Sequence, residues 1–176
     1  MKNTKGKNLE RRINRANYRY RKEGTAMIKK EEVPILITAT KLQPTLSTVD
    51  YTGSLTIWYK DNKKVGLFIA FDAKECASKT SFPLKNIHQH QLEFLKAHQQ
   101  LGSKTFFLIH FTSLHIDEAF LVPIDFIDAA WTAAEQGGSK SIKYEKFNKD
   151  WLVPIDNYLI NLINKSCENL LDATYK

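Results

Sequence analysis

The sequence predicts one mixed α/β domain in which a β-sheet is flanked by helices. Segments typical of amphipathic helices and segments rich in β-branched and aromatic residues follow one another in the order helix, strands, helix, strands, helix. The 176 residues suffice for one domain with a substantial core, and a hydrophobic fraction of 43% is ordinary for a globular protein. No apolar run approaches the roughly 20 residues that a membrane-spanning helix needs. We therefore expect a cytoplasmic protein that does not associate with membranes.

The first helix is predicted at residues 9–22, with Asn8 as its N-cap and Gly24 at its end. One face of this helix carries apolar residues spaced by four, three and four positions: Leu9, Ile13, Ala16 and Tyr20. Glu10 lies beside the apolar face of a helix that is otherwise basic. Its carboxylate either pairs with an arginine or points into a metal site.

The remaining elements are predicted from periodicity and from turn residues. Strands are expected at 26–30, 34–40, 54–59, 65–74, 104–111 and 116–122. Helices are expected at 86–101, 125–136 and 155–171, and loops at 41–48 and 76–85. The strands at 54–59 and 65–74 are close enough in sequence to form a hairpin around a turn at 61–64.

The fourth of these strands ends in an unusual way. Its apolar run, 67–71, is followed directly by Asp72, Ala73 and Lys74. Side chains two residues apart in a strand share one face, so Asp72 and Lys74 project together and Glu75 points away from them. Buried charges are costly unless they are paired or hold a metal, which makes this pair a candidate chemical site.

A second acid, Asp50, lies upstream in Ser-Thr-Val-Asp-Tyr-Thr-Gly. Two carboxylates offer the hard oxygen ligands that Mg²⁺ prefers, with water and substrate phosphates completing its coordination. A neighbouring lysine can orient a water or stabilise the charge that develops on phosphorus. The pattern favours metal-assisted phosphodiester hydrolysis, although this spacing alone also occurs by chance.

The positive charge is concentrated at the N-terminus. Residues 1–30 contain eleven Lys and Arg and two Glu, a net charge of +9, whereas the whole chain carries +7. A localised basic segment is typical of proteins that bind a polyanion, here nucleic acid, although a solvated tail has the same composition. We expect residues 1–7 to form a flexible basic arm ahead of a single domain at 8–176.

Several separated motifs, taken together, resemble the RecU family of Holliday-junction resolvases. They are Leu9-Glu10 and the segments 47–53, 71–75, 79–86, 88–91 and 137–142. They occur in the family's order and span most of residues 7–163. The resemblance implies the PD-(D/E)xK nuclease fold and a homodimeric, Mg²⁺-dependent enzyme, with Mn²⁺ as a substitute metal, that nicks four-way DNA junctions symmetrically in recombination and repair.

The resemblance also implies roles for individual residues. Asp50 and Asp72 correspond to the metal-binding carboxylates, and the main-chain carbonyl of Ala73 also faces the metal in this fold. Lys74 corresponds to the catalytic lysine, Glu10 to the acid on the first helix, and Gln91 to a polar residue directed into the site by the next helix. Contacts with DNA are expected from the following residues: Arg11, Arg12, Arg15, Arg19, Lys79, Thr80 and Lys140.

The chain departs from the family pattern in three ways, which suits a divergent, for example phage-type, member. Asp72 stands where the family usually has Glu, so the metal lies nearer the strand or a water intervenes. The sequence gap between Asp50 and Asp72 is longer than in the family pattern, which is consistent with an extended hairpin. The stalk expected before Asp50, which is thought to enter the junction centre, is short here, at 40–48.

Two other hypotheses remain open. The same fold also supports endonucleases that cut linear duplex, flaps or replication forks. A DNA-binding module that has lost catalysis would retain the basic segment but not depend on Asp72 or Lys74. His88 and His90 form an HxH pattern, which is insufficient for a zinc site, and nothing in the sequence indicates a small-molecule cofactor.

Overall fold

The computed structural model describes residues 7–32, 35–37, 42–44, 48–58, 64–113, 115–160 and 162. Within these residues three α-helices are defined: α1 (Lys7–Glu23), α2 (Gln89–Gln100) and α3 (Ile124–Glu135). The strands are β1 (Ala26–Lys30), β2 (Ile35–Ile37), β3 (Leu42–Pro44), β4 (Tyr51–Trp58), β5 (Lys64–Cys76), β6 (Ser81–Pro83), β7 (Lys104–Ser113), β8 (Ile116–Pro123), β9 (Ser141–Lys143) and β10 (Leu152–Val153).

Six strands form one mixed sheet in the order β1-β4-β5-β7-β8-β10. Strands β5 and β7 pair in parallel, and the other neighbours in this sheet pair antiparallel. The β4–β5 pair is the predicted hairpin, with Tyr51 opposite Phe71. The predicted mixed α/β architecture is therefore confirmed, with β5 near the middle of the sheet.

The helices cover both faces of this sheet. On one face, Ile69 and Phe71 of β5 pack with the apolar side of α1. On the other face, Ala70 of β5 packs in a cluster that includes Leu92 of α2 and Ile127 of α3. The near-continuous apolar run of β5 is explained by this burial on both sides.

Helix α1 buries the predicted apolar stripe, and Gly24 follows its end with a φ of 69°. The predicted N-cap is wrong, because the helix begins at Lys7 and Asn8 lies within its first turn. The side-chain oxygen of Asn8 instead accepts a 2.8 Å hydrogen bond from Arg11. Residues 1–6 of the predicted basic arm lie outside the described residues.

Two short ribbons replace parts of the predicted loops. Strand β3 lies in the region expected to be a loop at 41–48 and pairs antiparallel with β2. Strand β6 lies in the expected loop at 76–85 and pairs antiparallel with β9. Strands of three residues are too short to show an alternating pattern, and the partner of β6 is distant in sequence. Local sequence therefore could not identify them.

The helix boundaries also differ in part from prediction. Residues Leu84–Asn86 form a 3₁₀ turn, so α2 begins at Gln89 rather than at 86. The C-terminal helix predicted at 155–171 begins as a 3₁₀ turn at Ile155–Asn157, followed by the buried Tyr158 and Leu159; most of its remaining length lies outside the described residues. None of the helices in the described ranges is long and apolar enough to span a membrane.

Candidate active site

The predicted acid–lysine pair lies on β5. Asp72 and Lys74 share the face of the sheet that is covered by α2, and Asp72 Oδ1 lies 2.7 Å from Lys74 Nζ. The Asp72 side chain is 0% exposed and the Lys74 side chain 15% exposed. The prediction that these two side chains project together is confirmed.

Gln91, in the first turn of α2, connects these two charges. Its Nε2 donates a 2.6 Å hydrogen bond to Asp72 Oδ2, and its Oε1 accepts a 2.9 Å hydrogen bond from Lys74 Nζ. The same Oε1 accepts a 3.2 Å hydrogen bond from the main-chain N–H of His88, as in half of a capping box. The Gln91 amide is therefore held by the start of α2 as well as by Asp72 and Lys74.

Asp50 reaches the site from the bend that precedes β4. Its Oδ2 accepts a 3.0 Å hydrogen bond from the main-chain N–H of Ala73. The pairing of Tyr51 with Phe71 places Asp50 next to Asp72 on the neighbouring strand. The two carboxylates thus come from adjacent strands and share one cation, Lys74, whose charge acts on both.

The electrostatics of the site oppose ionisation of both Asp50 and Asp72 at once. Burial, followed by the negative charge of Asp50, raises the pKa of Asp72 to about 7, against the opposing effect of Lys74. Burial also raises the pKa of Asp50, although the Ala73 N–H and the Lys74 charge lower it. Two carboxylates with a single buried cation form a centre that a further cation would stabilise.

One oxygen of Asp72 is suited to bind such a cation. Asp72 Oδ1 is buried and has no hydrogen-bond partner of good geometry among the described residues, although the Lys74 ammonium group lies 2.7 Å from it as an ion pair. A buried carboxylate oxygen without a hydrogen bond suits a metal ligand. Within the described part of the chain, no three His, Cys, Asp or Glu side chains converge on one point as a complete metal cage. A two-carboxylate site with water and phosphate as further ligands matches Mg²⁺ chemistry.

Glu10 lies at the edge of the site. Its Oε2 is 2.5 Å from Nζ of Lys30, the last residue of β1, and its charge raises the pKa of Asp50. Glu10 therefore pairs with a strand lysine and not with a helix arginine, and its charge acts on the nearby Asp50. Lys30 was missed as a site residue, although its position opposite Tyr51 in the β1–β4 pairing would have placed it beside Asp50.

The residues expected to contact DNA fall into two groups. Arg12 lies 3.7 Å from Asp117 and 3.6 Å from Asp156, and Arg19 donates to the main-chain oxygen of Asp156 at 2.5 Å. These two arginines therefore also tie α1 to other elements. The side chains of the second group are exposed: Arg11, Arg15, Lys79, Thr80 and Lys140.

Comparison with known proteins identifies the family. The model of the family described as RecU, Recombination protein U, matches residues 4–165. The chain is 35% identical over 159 residues to the Holliday junction resolvase RecU of Oenococcus oeni, covering 82% of this chain and 74% of that one. It is 32% identical over 184 residues to the protein of the same name from Pediococcus pentosaceus, covering 94% of this chain and 86% of that one. A third relative with this name, from Staphylococcus carnosus, is 35% identical over 159 residues, or 83% of this chain and 71% of that one. The chain belongs to the RecU family.

Proposed function

We propose that this protein is a Mg²⁺-dependent endonuclease that resolves four-way DNA junctions by paired symmetric nicks in recombination and repair. The observation that carries the proposal is the arrangement of Asp50, Asp72, Lys74 and Gln91 around a buried carboxylate oxygen without a hydrogen bond. Membership of the RecU family supports the substrate, since the relatives are named as Holliday junction resolvases. The order of strand, acid and lysine supports the PD-(D/E)xK fold.

Asp50, Asp72 and the main-chain carbonyl of Ala73 would hold the metal. A bound Mg²⁺ supplies charge that stabilises the attacked phosphate and acidifies a water, and Mn²⁺ is expected to substitute for it. Asp72 binds in its ionised form, which the metal favours by lowering its raised pKa. Its short side chain keeps the ligand oxygen close to β5.

Lys74 acts at the same centre. Its ammonium group neutralises part of the carboxylate charge and donates to a water or to a phosphate oxygen of the substrate. Gln91 holds both side chains of the Asp72–Lys74 pair, because it donates to Asp72 and accepts from Lys74. Glu10 adjusts the charge near Asp50 and is itself balanced by Lys30.

A homodimer matches the symmetry of the substrate. A four-way junction has approximate two-fold symmetry, and two active sites related by a two-fold axis would cut two opposed strands. The basic N-terminal residues and the exposed lysines would bind the phosphodiester backbone, so affinity should fall steeply with salt. The β2–β3 ribbon lies between β1 and β4 in the chain, and we assign it to the shortened stalk.

The proposal is tested by cleaving a labelled four-way junction in Mg²⁺ and mapping the products at nucleotide resolution. We expect paired nicks at symmetric positions in two opposed strands, and none in EDTA. Forks, flaps and linear duplex of the same sequence are the matched substrates. Equal cleavage of linear duplex would reject junction resolution and favour a general duplex endonuclease. Junction binding without cleavage in any divalent metal would favour a catalytically inactive module.

A further inference from the structure

An open cavity lies beside the candidate active site. Its volume is about 820 Å³. It is bounded by β6, by the 3₁₀ turn that precedes α2, by the last turns of α3 and by the start of β9. Cavities of this size accommodate small organic ligands, and the proposed function uses none of the chemistry in this one.

The cavity lies on the same face of the sheet as Asp72 and Lys74. Cys76 follows Lys74 by two residues on β5, so its side chain shares that face. The thiol of Cys76 lies 3.5 Å from the main-chain oxygen of Ser81, which lines the cavity. Because two residues of a strand span about 7 Å, the cavity begins roughly 10 Å from Lys74.

The start of α2 gives a second connection between the cavity and the active site. Leu84 lines the cavity and is buried in the same apolar cluster as Leu92 of α2. Lys85 also lines the cavity, and Gln91, the residue that contacts Asp72, follows it by six residues. The cavity therefore adjoins the active site both along β5 and along the approach to α2.

Trp131 is the aromatic residue among those that line the cavity. Its indole is half-buried, and Nε1 donates a 3.0 Å hydrogen bond to Oε1 of Glu135, one turn further along α3. This bond fixes the orientation of the ring in the absence of a ligand. Pro83 and Ala134 add apolar surface to the same cavity. A flat aromatic ring beside apolar surface is suited to stack on another flat ring, such as a nucleobase.

The walls of the cavity are held by main-chain contacts. The N–H of Leu84 donates a 3.0 Å hydrogen bond to the carbonyl oxygen of Lys140. Gly138 packs so closely on α3 that a Cβ atom there would lie 2.6 Å from the oxygen of Ala133. The turn that carries Lys140 is thus fixed against both β6 and α3, and the cavity is preformed.

The charged groups of the lining favour a nucleotide over a free phosphate or an apolar peptide. Lys85 and Lys140 are exposed, and Lys140 is already expected to contact DNA. Glu135 offers carboxylate oxygens, which accept hydrogen bonds from the N–H groups of a base and repel a phosphate. A base stacked on Trp131, with its neighbouring phosphates near the two lysines, uses all of these groups.

We propose that this cavity binds an unstacked base of the junction close to the nick, with the base stacked on Trp131, and thereby helps to distinguish a branch point from linear duplex. The inference rests on the function proposed above. A rise of about 3.4 Å per nucleotide along each strand brings the DNA from the active site to the cavity in about three nucleotides. Removing a base from a duplex costs free energy, and this cost is lower where stacking is already interrupted, as at a branch point.

Binding measurements in EDTA test the cavity without catalysis. Trp131→Leu removes the stacking surface, whereas Ala134→Leu fills the cavity and leaves the indole in place. Each variant should bind a labelled four-way junction about fivefold more weakly than wild type, because the contribution of one stacked base is lost. Affinity for linear duplex of the same sequence should change by less than about twofold, since its bases stay stacked.

Ala97→Leu is the matched control, because Ala97 is an exposed alanine of α2 that does not line this cavity. It should bind both substrates as wild type does. Equal losses on junction and duplex would refute a base site. Cavity variants that behave like Ala97→Leu would also overturn the proposal and would favour a protein segment as the occupant of the groove. Thermal unfolding identifies a variant that fails to fold, and Ala134→Leu keeps the test decisive if Trp131→Leu does so.

A second experiment locates the base. Single 5-iodouracil residues are placed at successive positions around the mapped nick, and each complex is irradiated in EDTA. We expect a crosslink to Trp131 from a position within about four nucleotides of the nick, a range set by the rise of the DNA strand. This crosslink should be absent from linear duplex. Crosslinks of equal yield in junction and duplex, or crosslinks only to other residues, would contradict the proposal.

If wild-type protein neither binds nor cuts the junction, the proposed function itself fails. If it cuts the junction symmetrically but the cavity variants behave like their control, only the base site fails. The two outcomes are therefore distinguishable in the same set of assays.

Discussion

Gln91 donates a 2.6 Å hydrogen bond to Asp72 from the first turn of the neighbouring helix. The same amide accepts from Lys74, so one side chain fixes the relative positions of the carboxylate and the ammonium group. The amide N–H stabilises the ionised form of Asp72, the form needed to bind metal. Gln91 is therefore a positioning residue whose loss should change the protonation of the site.

Replacing Gln91 by Leu should reduce junction nicking at least tenfold while the protein remains folded, because Leu fills a similar volume without the two hydrogen bonds. The pKa of Asp72 should rise, moving the acidic limb of the pH–rate profile to higher pH. Nicking rates measured from pH 6 to pH 9 check both effects. A slower enzyme with an unshifted profile would mean that Gln91 does not act through Asp72.

Substitution of Asp72 or of Lys74 should abolish nicking. Asp72→Asn removes a metal ligand, and Lys74→Met removes the ammonium group, yet neither change removes the basic residues that bind DNA. We expect no detectable Mg²⁺-dependent cleavage and junction affinity close to that of wild type. Cleavage and gel-shift assays on the same preparations measure the two properties.

Glu75→Gln is the matched control for this pair. The strand alternation directs Glu75 to the opposite face from Asp72 and Lys74, next to His110 in the β5–β7 register. Its nicking rate should stay within about twofold of wild type. A loss comparable to that of Asp72→Asn would instead assign a ligand role to Glu75 and contradict the proposed metal site.

The sequence predicted this site as far as strand alternation and resemblance allow. Alternation placed Asp72 and Lys74 on one face, and the β4–β5 hairpin placed Asp50 beside them. The pairing of Glu10 with Lys30 could not be predicted, because it depends on how α1 crosses β1 and β4. Sequence motifs likewise gave Gln91 as a site residue but not its contacts, which depend on where α2 begins.

Long, strongly patterned elements were predicted best. Helix α1 buries an apolar stripe with a clear helical period, and strand β5 contains an unbroken apolar run because it is buried on both faces. The β6–β9 ribbon was missed because its three-residue strands are joined only by long-range pairing. The contacts of Asp117 with His110 and with Arg12 were missed for the same reason, since they join three separate elements.

The raised pKa of Asp72 predicts how stability depends on pH in the absence of metal. This pKa is about 7 in the folded protein and returns to its ordinary value of 3.8 in the unfolded chain, so the folded state binds the proton more tightly. Stability from this group is fully present below pH 4 and is lost as pH rises to about 7. Each tenfold difference in proton affinity between the folded and unfolded states corresponds to about 1.4 kcal/mol.

The difference in stability between wild type and Asp72→Asn isolates the pH-dependent contribution of Asp72 from that of the other acids. In EDTA, the free energy of unfolding of wild type relative to Asp72→Asn should fall between pH 5 and pH 7 and then level off. Urea unfolding at several pH values measures it. Added Mg²⁺ should raise wild-type stability at pH 8 but have little effect on the variant, since only the ionised carboxylate binds metal. A pH-independent difference would contradict the raised pKa.

Asp72→Glu tests whether the shorter carboxylate is adapted to this site. Asp72 is fully buried, and its 2.6 Å contact with Gln91 leaves little room for another methylene, so the larger residue should destabilise the protein by about 1–3 kcal/mol. Glu retains the carboxylate, so Mg²⁺-dependent nicking should persist at a reduced rate, unlike in Asp72→Asn. Thermal unfolding and junction cleavage at saturating Mg²⁺ separate the two effects. Complete loss of nicking in a folded Asp72→Glu protein would show that the oxygen position set by Asp is essential, and that metal binding here depends on the distance of the carboxylate from β5.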